Sequence, residues 1–352
     1  MRILITSPSL DINKNISGIS SVVANIIKWQ RDKYIVFTSG RSDNEKRDVK
    51  WLLNQFFFLI RYIKILRVSN INVVHINSAM SELSIIRDYF LISIAKILRK
   101  KIVLHIHGGK YLFASHKPII LKYFIQDSLK KSDQIIVLSE LERDNIKNKF
   151  NVDNINILQN CIELNHAKTI PFEDKKNVIV FLGRIVKDKG LNEIVEAFRL
   201  LNKKTNDFFF ELCGVGPDFA IYDNLFNELL GNRYKYNGVV NGSEKWNFLK
   251  NAKIFLLPSY YEGLPISLLE AMSTGCIPIV TPVGSIKEVI KDEYNGIIVN
   301  KYAPDEIMEA ILHIIKNQQV AEYMALNAAL TIKERFNILN YKEQLNKIYD
   351  CL

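Results

Sequence analysis

At 352 residues, 48% of them apolar, the chain can bury two ordinary cores and is long for one open α/β sheet, so two domains are expected. The net charge of +10 is unevenly held: residues 1–168 carry 26 Lys and Arg against 14 Asp and Glu, the remainder 21 against 23, so the basicity sits in the first half. Cys161, Cys213, Cys276 and Cys351 lie far apart without CxxC or Cys/His ligand spacing, which argues against a disulfide framework or a zinc site and fits a reducing cytoplasm.

The N-terminal MRILITSPSLD has an apolar stretch of only Ile3–Ile5, too short for a secretory segment, and reads as a first strand. Short β-rich runs then alternate with polar or amphipathic segments: YIVFT, NVVHINS, KIVLHIHGG and QIIVLS complete the first half. The greasiest stretches, FFFLI and YFLISIA, are stopped by Arg61 and Lys96, so no membrane-spanning helix is expected. Within WLLNQFFFLIRYIKILRVSN, Arg61, Lys64 and Arg67 sit beside large apolar residues, a pattern equally suited to an anionic membrane surface and to a buried helix with a cationic edge. His75, within NVVHINS, is placed on the sheet rim. His105 and His107 share a strand face, but no third ligand accompanies them, so no metal site is assigned.

Strand signals lapse over LNHAKTIPFEDKKN, about 164–177, which reads as the interdomain linker. The pattern restarts with NVIVFLGR, FFFELCG, IFLLPS, CIPIVT and GIIVN, giving a second parallel sheet covered by helices. The domains are thus 1–168 and 169–335. From about Phe336 to Leu352 an amphipathic helix exposes Ile338, Leu339, Tyr341, Leu345, Ile348 and Tyr349, which need a surface to cover.

Four segments of the second half fit a nucleotide diphosphate ligand. In FLGRIVKDKG a strand ends at Gly183 and the loop presents Arg184 and Lys189, cations suited to a diphosphate and to the charge of a diphosphate leaving group. In ELCGVGP, Gly214 and Gly216 permit close backbone approach, although ordinary strand-to-helix punctuation accounts for them as well. In YYEGLPISLLEAMSTGCIPIV, Glu262 precedes a Gly263-Leu264 turn, Pro265 is placed as the first helical residue, and the amides of Leu264, Ile266 and Ser267 face an anion. Glu270, in the same apolar helix, needs hydrogen-bond partners; a ribose diol or a nearby cation would supply them. In YNGVVNGSEKWNFLKNAKIFLLPS a glycine-punctuated loop precedes a short helix and could hold a base.

Together GRIVKDKG, CGVGP, the Glu262-x7-Glu270 pair and the Gly284 and Gly296 turns resemble the retaining GT-B glycosyltransferases of family 4, over nearly the whole chain. The resemblance implies two Rossmann-like domains with parallel sheets facing a central cleft, and a last helix, about 336–352, that returns to the first domain. It implies Arg184 and Lys189 on the donor diphosphate, Glu270 on the ribose and Glu262 on the transferred sugar. Gly263 to Leu268, that is Gly263, Leu264, Pro265, Ile266, Ser267 and Leu268, match the loop and helix start that meet sugar and phosphates, with Gly214 nearby and Val240 and Lys245 where the base is held. In the first half the family's paired glycines are reduced to Ser17-Gly18, so Gly18 alone is carried over to the donor phosphates. His107, followed by Gly108 and Gly109, matches the histidine against the donor sugar.

The implied function is retaining, metal-independent transfer of a hexose-type sugar from a nucleotide diphosphate donor, UDP favoured, with no cofactor. The absence of any DxD pair agrees with metal independence. The implied acceptor is a polyprenyl-diphosphate-linked saccharide in bacterial O-antigen, capsule or lipopolysaccharide synthesis, met by a cytoplasmic enzyme on the inner face of the plasma membrane. A nucleotide-sugar epimerase of the same architecture stays open. A non-enzymatic basic module for membrane or nucleic acid leaves the Glu262/Glu270 spacing unaccounted for, and nucleic acid is not an expected partner.

Overall fold

The computed structural model describes residues 1–11, 15, 17–28, 30–40, 49–108, 118–164 and 169–352. Gly109 and the expected boundary at residue 168 lie outside the described residues. The chain divides into two compact units, Met1–Asn160 with Tyr341–Leu352, and Cys161–Asn340.

The first unit holds a six-stranded sheet: β1 (Ile3–Ser7), β2 (Tyr34–Thr38), β3 (Val73–Ser78), β4 (Lys101–Ile106), β5 (Gln134–Val137) and β6 (Ile155–Ile157). The order is β2-β1-β3-β4-β5-β6 and every pair is parallel, with Ile3 opposite both Tyr34 and Val73. Parallel strands need crossovers, and these are α1 (Gly18–Lys28), α2 (Val49–Val68), α3 (Glu82–Ile97), α4 (Ile119–Lys131) and α5 (Glu140–Phe150). Being covered on both faces, β1 and β3 are buried at every residue, the condition that gives central strands continuous apolar runs. Strand β6 escaped the sequence reading: it is three half-buried residues at an edge, interrupted by Asn156.

His75 is not on a rim. It lies mid-strand in β3, fully buried, where Tyr349 reaches its Nδ1 at 2.5 Å. Tyr349 belongs to α13 (Ile338–Asp350), whose Ile338, Tyr341, Leu345, Ile348 and Tyr349 are all buried. Leu339 departs from the expectation and is 64% exposed.

The second unit repeats the layering with β7 (Val178–Leu182), β8 (Phe209–Cys213), β9 (Tyr234–Tyr236), β10 (Ile254–Leu257), β11 (Ile277–Val280) and β12 (Ile297–Ile298), in the order β12-β11-β10-β7-β8-β9 and parallel throughout. Its helices are α6 (Leu191–Leu201), α7 (Phe219–Leu230), α8 (Gly242–Asn251), α9 (Ile266–Ser273), α10 (Ile286–Val289), α11 (Pro304–Lys316) and α12 (Gln318–Arg335). In α6 the buried residues Leu191, Ile194, Val195, Phe198 and Leu201 recur at the helical period and turn one face to the core.

The expected linker is only partly one. Ile162 donates to the Phe336 carbonyl at 3.0 Å, and Lys175, 4% exposed, donates to the Ala252 and Thr274 carbonyls at 2.9 Å each, so these residues are built into the second unit. A buried ammonium with carbonyl partners satisfies chain ends after α8 and α9, which explains a lysine where composition suggests solvent.

Candidate active site

In the second unit the chain runs from β7 to β8 and β9 in one direction across the sheet, and from β10 to β11 and β12 in the other. The adjacent strands β7 and β10 therefore form the topological switch point, the place in open α/β sheets beside whose carboxyl ends ligands bind. Arg184 and Lys189 lie after β7, Glu262 to Pro265 after β10, and Ile266 to Glu270 in the helix α9 that follows.

After β7, Gly183 and Ile185 donate to the Cys213 and Val215 carbonyls at 3.1 and 2.9 Å, which draws this loop against the loop after β8. That approach explains Gly214 and Gly216: a Cβ on Gly214 would stand 1.8 Å from the Gly183 carbonyl oxygen, and one on Gly216 would stand 2.0 Å from that of Ile185. Their glycine requirement arises from packing between loops. Gly18 differs, since a Cβ there meets nothing within 4 Å and its φ is ordinary.

Arg184 is exposed. Lys189 closes a 3-10 turn, Lys187–Lys189, before the left-handed Gly190 opens α6. A side chain at Gly190 would meet the Pro258 carbonyl, so the β7 and β10 loops touch through it. They are joined again where Tyr260 donates to the Asp188 carbonyl at 2.9 Å. Lys189 Nζ then reaches Glu262 Oε1 at 2.5 Å, and Ser259 Oγ donates to the same oxygen at 2.8 Å. Glu262 is only 8% exposed, so it is not a solvated loop residue.

Helix α9 starts one residue later than expected. Pro265 is its cap residue, extended at φ −66°, ψ 126°, and Ile266 is the first helical position. Leu264, Ile266 and Leu268 are buried, Gly263 and Ser267 partly so. Gly263 accepts from the Ser285 amide at 3.0 Å, and Gly284 turns with left-handed φ against the Glu262 carbonyl, so the β11 loop braces this turn.

Glu270 is 8% exposed and pairs with Lys245 Nζ of α8 at 2.5 Å. Of the two partners considered for it, a cation is present in the fold. Burial raises the Glu270 pKa, and Lys245 offsets this only in part. Val240, buried, precedes α8 in the loop after β9. That strand, three residues at a sheet edge, is legible in the sequence only as a strand end before the glycine-punctuated loop.

In the first unit His107 follows β4. Its Nε2 lies 2.6 Å from Asn77 Oδ1, and burial lowers its pKa to about 3. Its ring packs 3.9 Å from that of His105, and His105 Nδ1 lies 3.2 Å from His75 Nε2. Among the described residues no group of three His, Cys, Asp or Glu is arranged to hold a metal ion. Sequence reasoning missed Asn77 and Ser259. The available signals were three polar residues, His75, Asn77 and Ser78, in one buried strand and a hydroxyl three positions before Glu262.

Residues 163–331 match the family described as Glycosyl transferases group 1, and residues 16–166 that described as Glycosyltransferase Family 4. An uncharacterized glycosyltransferase of Methanocaldococcus jannaschii is 29% identical over 272 residues, covering 72% of this chain and 69% of its own. The UDP-Gal:alpha-D-GlcNAc-diphosphoundecaprenol alpha-1,3-galactosyltransferase of Escherichia coli is 25% identical over 326 residues, 85% of this chain and 80% of its own. The structure of Anabaena HepE in complex with UDP and glucose superposes with a TM-score of 0.81 at 17% identity, covering 100% of both chains.

Proposed function

The chain belongs to the group 1, family 4 glycosyltransferases and has their GT-B fold of two parallel-sheet α/β domains, and from this premise we propose that it moves a hexose-type sugar, with retention, from a UDP-sugar to a saccharide acceptor. The acceptor we assign is carried on polyprenyl diphosphate, in the synthesis of a bacterial surface polysaccharide such as O-antigen, capsule or lipopolysaccharide. Relatives named for diphosphoundecaprenol substrates support this reading, as does the cationic face of α2. The enzyme would work at the inner face of the plasma membrane; none of the described helices is long and apolar enough to cross one.

The observation that carries the donor assignment is the Lys189–Glu262 pair, which joins the loops after β7 and β10 at the switch point of the second sheet, with the Lys245–Glu270 pair on the helices before and after β10. Arg184 and Lys189 hold the diphosphate, with the amides at the start of α9, and Val240 and Lys245 flank the base. Glu270 accepts from the ribose diol and Glu262 from hydroxyls of the transferred sugar. In the first unit Gly18 and His107 are the residues assigned to the donor. The bond between the anomeric carbon and the diphosphate oxygen breaks, the acceptor oxygen takes its place on the same face, and the departing diphosphate receives the acceptor's proton. Cations replace a metal in stabilising the charge that develops on the leaving group.

Arg184→Ala tests the phosphate assignment more cleanly than Lys189→Ala, because removing Lys189 also leaves the buried Glu262 carboxylate without its cation. Transfer by Arg184→Ala should fall about 100-fold, the scale of a lost transition-state charge contact, with an unchanged melting temperature. Near wild-type turnover in the folded variant removes Arg184 from the phosphates.

A further inference from the structure

The hydrogen bonds behind His107 determine which of its nitrogens carries the proton. Asn77 sits in β3, its backbone amide donating to Thr6 Oγ1 at 2.9 Å. Its side-chain Nδ2 donates to the Thr6 carbonyl at 2.8 Å. A backbone carbonyl only accepts, so the amide group of Asn77 has one orientation, with Oδ1 toward His107. Oδ1 also only accepts, and it lies 2.6 Å from His107 Nε2. That nitrogen must therefore donate. With the ring neutral, held so by burial, Nδ1 carries the lone pair, and it is buried with no partner among the described residues.

We propose that Asn77 is a positioning residue for His107, fixing the imidazole as its Nε2–H tautomer, in a plane set by the backbone of β1, and leaving Nδ1 as the nitrogen free to accept.

Behind His107, with ring centres 3.9 Å apart, lies His105, whose Nδ1 is 3.2 Å from His75 Nε2. The opposite tautomer of His107 would confront Asn77 Oδ1 with a second lone pair, leaving two buried acceptors unpaired.

The consequence for transfer rests on the reading that His107 meets the donor sugar: a ring locked in this form brings neither charge nor a free proton, and acts by orientation. Long-range nitrogen–proton NMR on the full chain labelled with ¹⁵N-histidine reads the tautomer without any reaction. We expect the Nε2–H form in the wild type and its loss in Asn77→Ala, with kcat at saturating donor down about tenfold, the scale typical of a removed orienting partner. The thermal melt of Asn77→Ala, read beside its tautomer, separates loss of the lock from a fold defect. A wild-type Nδ1–H tautomer overturns the proposal, as does an Asn77→Ala protein that keeps both tautomer and turnover. A lost tautomer with turnover intact leaves the lock standing and removes His107 from the reaction.

Discussion

Glu270 shows how a single buried residue can oppose stability. Its carboxyl is buried and its pKa raised despite an ammonium at 2.5 Å, so desolvation outweighs the pairing. A carboxylate raised on folding favours the folded state in its protonated form: that stability is complete below the ordinary carboxylate range and is lost as pH rises through the folded pKa. Gln has no such titration. Ligand-free Glu270→Gln should therefore melt at or above the wild type at about pH 7, the advantage narrowing toward about pH 4. Stabilisation by UDP should fall at the same time, since a ligand raises melting only through its affinity for the folded state. Full UDP stabilisation of Glu270→Gln in a thermal-shift titration would remove the ribose assignment. That Glu270 needed a partner was legible in the sequence, because charge in an apolar helix always does. Which partner was not, since Lys245 arrives from a different helix through a contact that spacing does not encode.

At the level of elements, strands and glycines were readable because their causes are local. Ten strands announced themselves as apolar runs; β6 and β9, short and half-polar at sheet edges, did not, because edge strands bury little. The glycines were legible as turns but not in purpose: Gly190, Gly214 and Gly284 serve loop-to-loop contact, which depends on the order of strands in the sheet. For α13 the apolar face was evident, and its buried polar contact was not. Tyr349→Phe leaves His75 Nδ1 without its hydroxyl partner and should weaken the first unit by about 1–3 kcal/mol. Hydrogen exchange would show this as faster opening of β3 amides with β10 amides unchanged. Equal acceleration of both sheets would mean that Tyr349 does not act through His75.

Across the whole molecule the charge asymmetry has a structural counterpart in α2. Tyr62 and Leu66 are buried, while Phe57 and Val68 are 63% and 73% exposed among the exposed cations Arg61, Lys64 and Arg67. Apolar groups interleaved with cations suit an anionic bilayer surface, and the electrostatic part of such binding weakens with salt. Vesicles rich in anionic lipid should capture the protein at low ionic strength better than neutral vesicles, and Lys64→Glu with Arg67→Glu should abolish the difference. Equal capture by both kinds of vesicle would leave α2 as a solvated helix edge. The units themselves follow different schedules. Because Tyr341–Leu352 completes the first unit, a nascent chain has made residues 1–160 long before it has made the helix that covers His75. The second unit, contiguous in sequence, is available to fold while the first still waits. Emergence of Tyr341–Leu352, rather than synthesis of the first half, is then the step at which the first sheet is sealed.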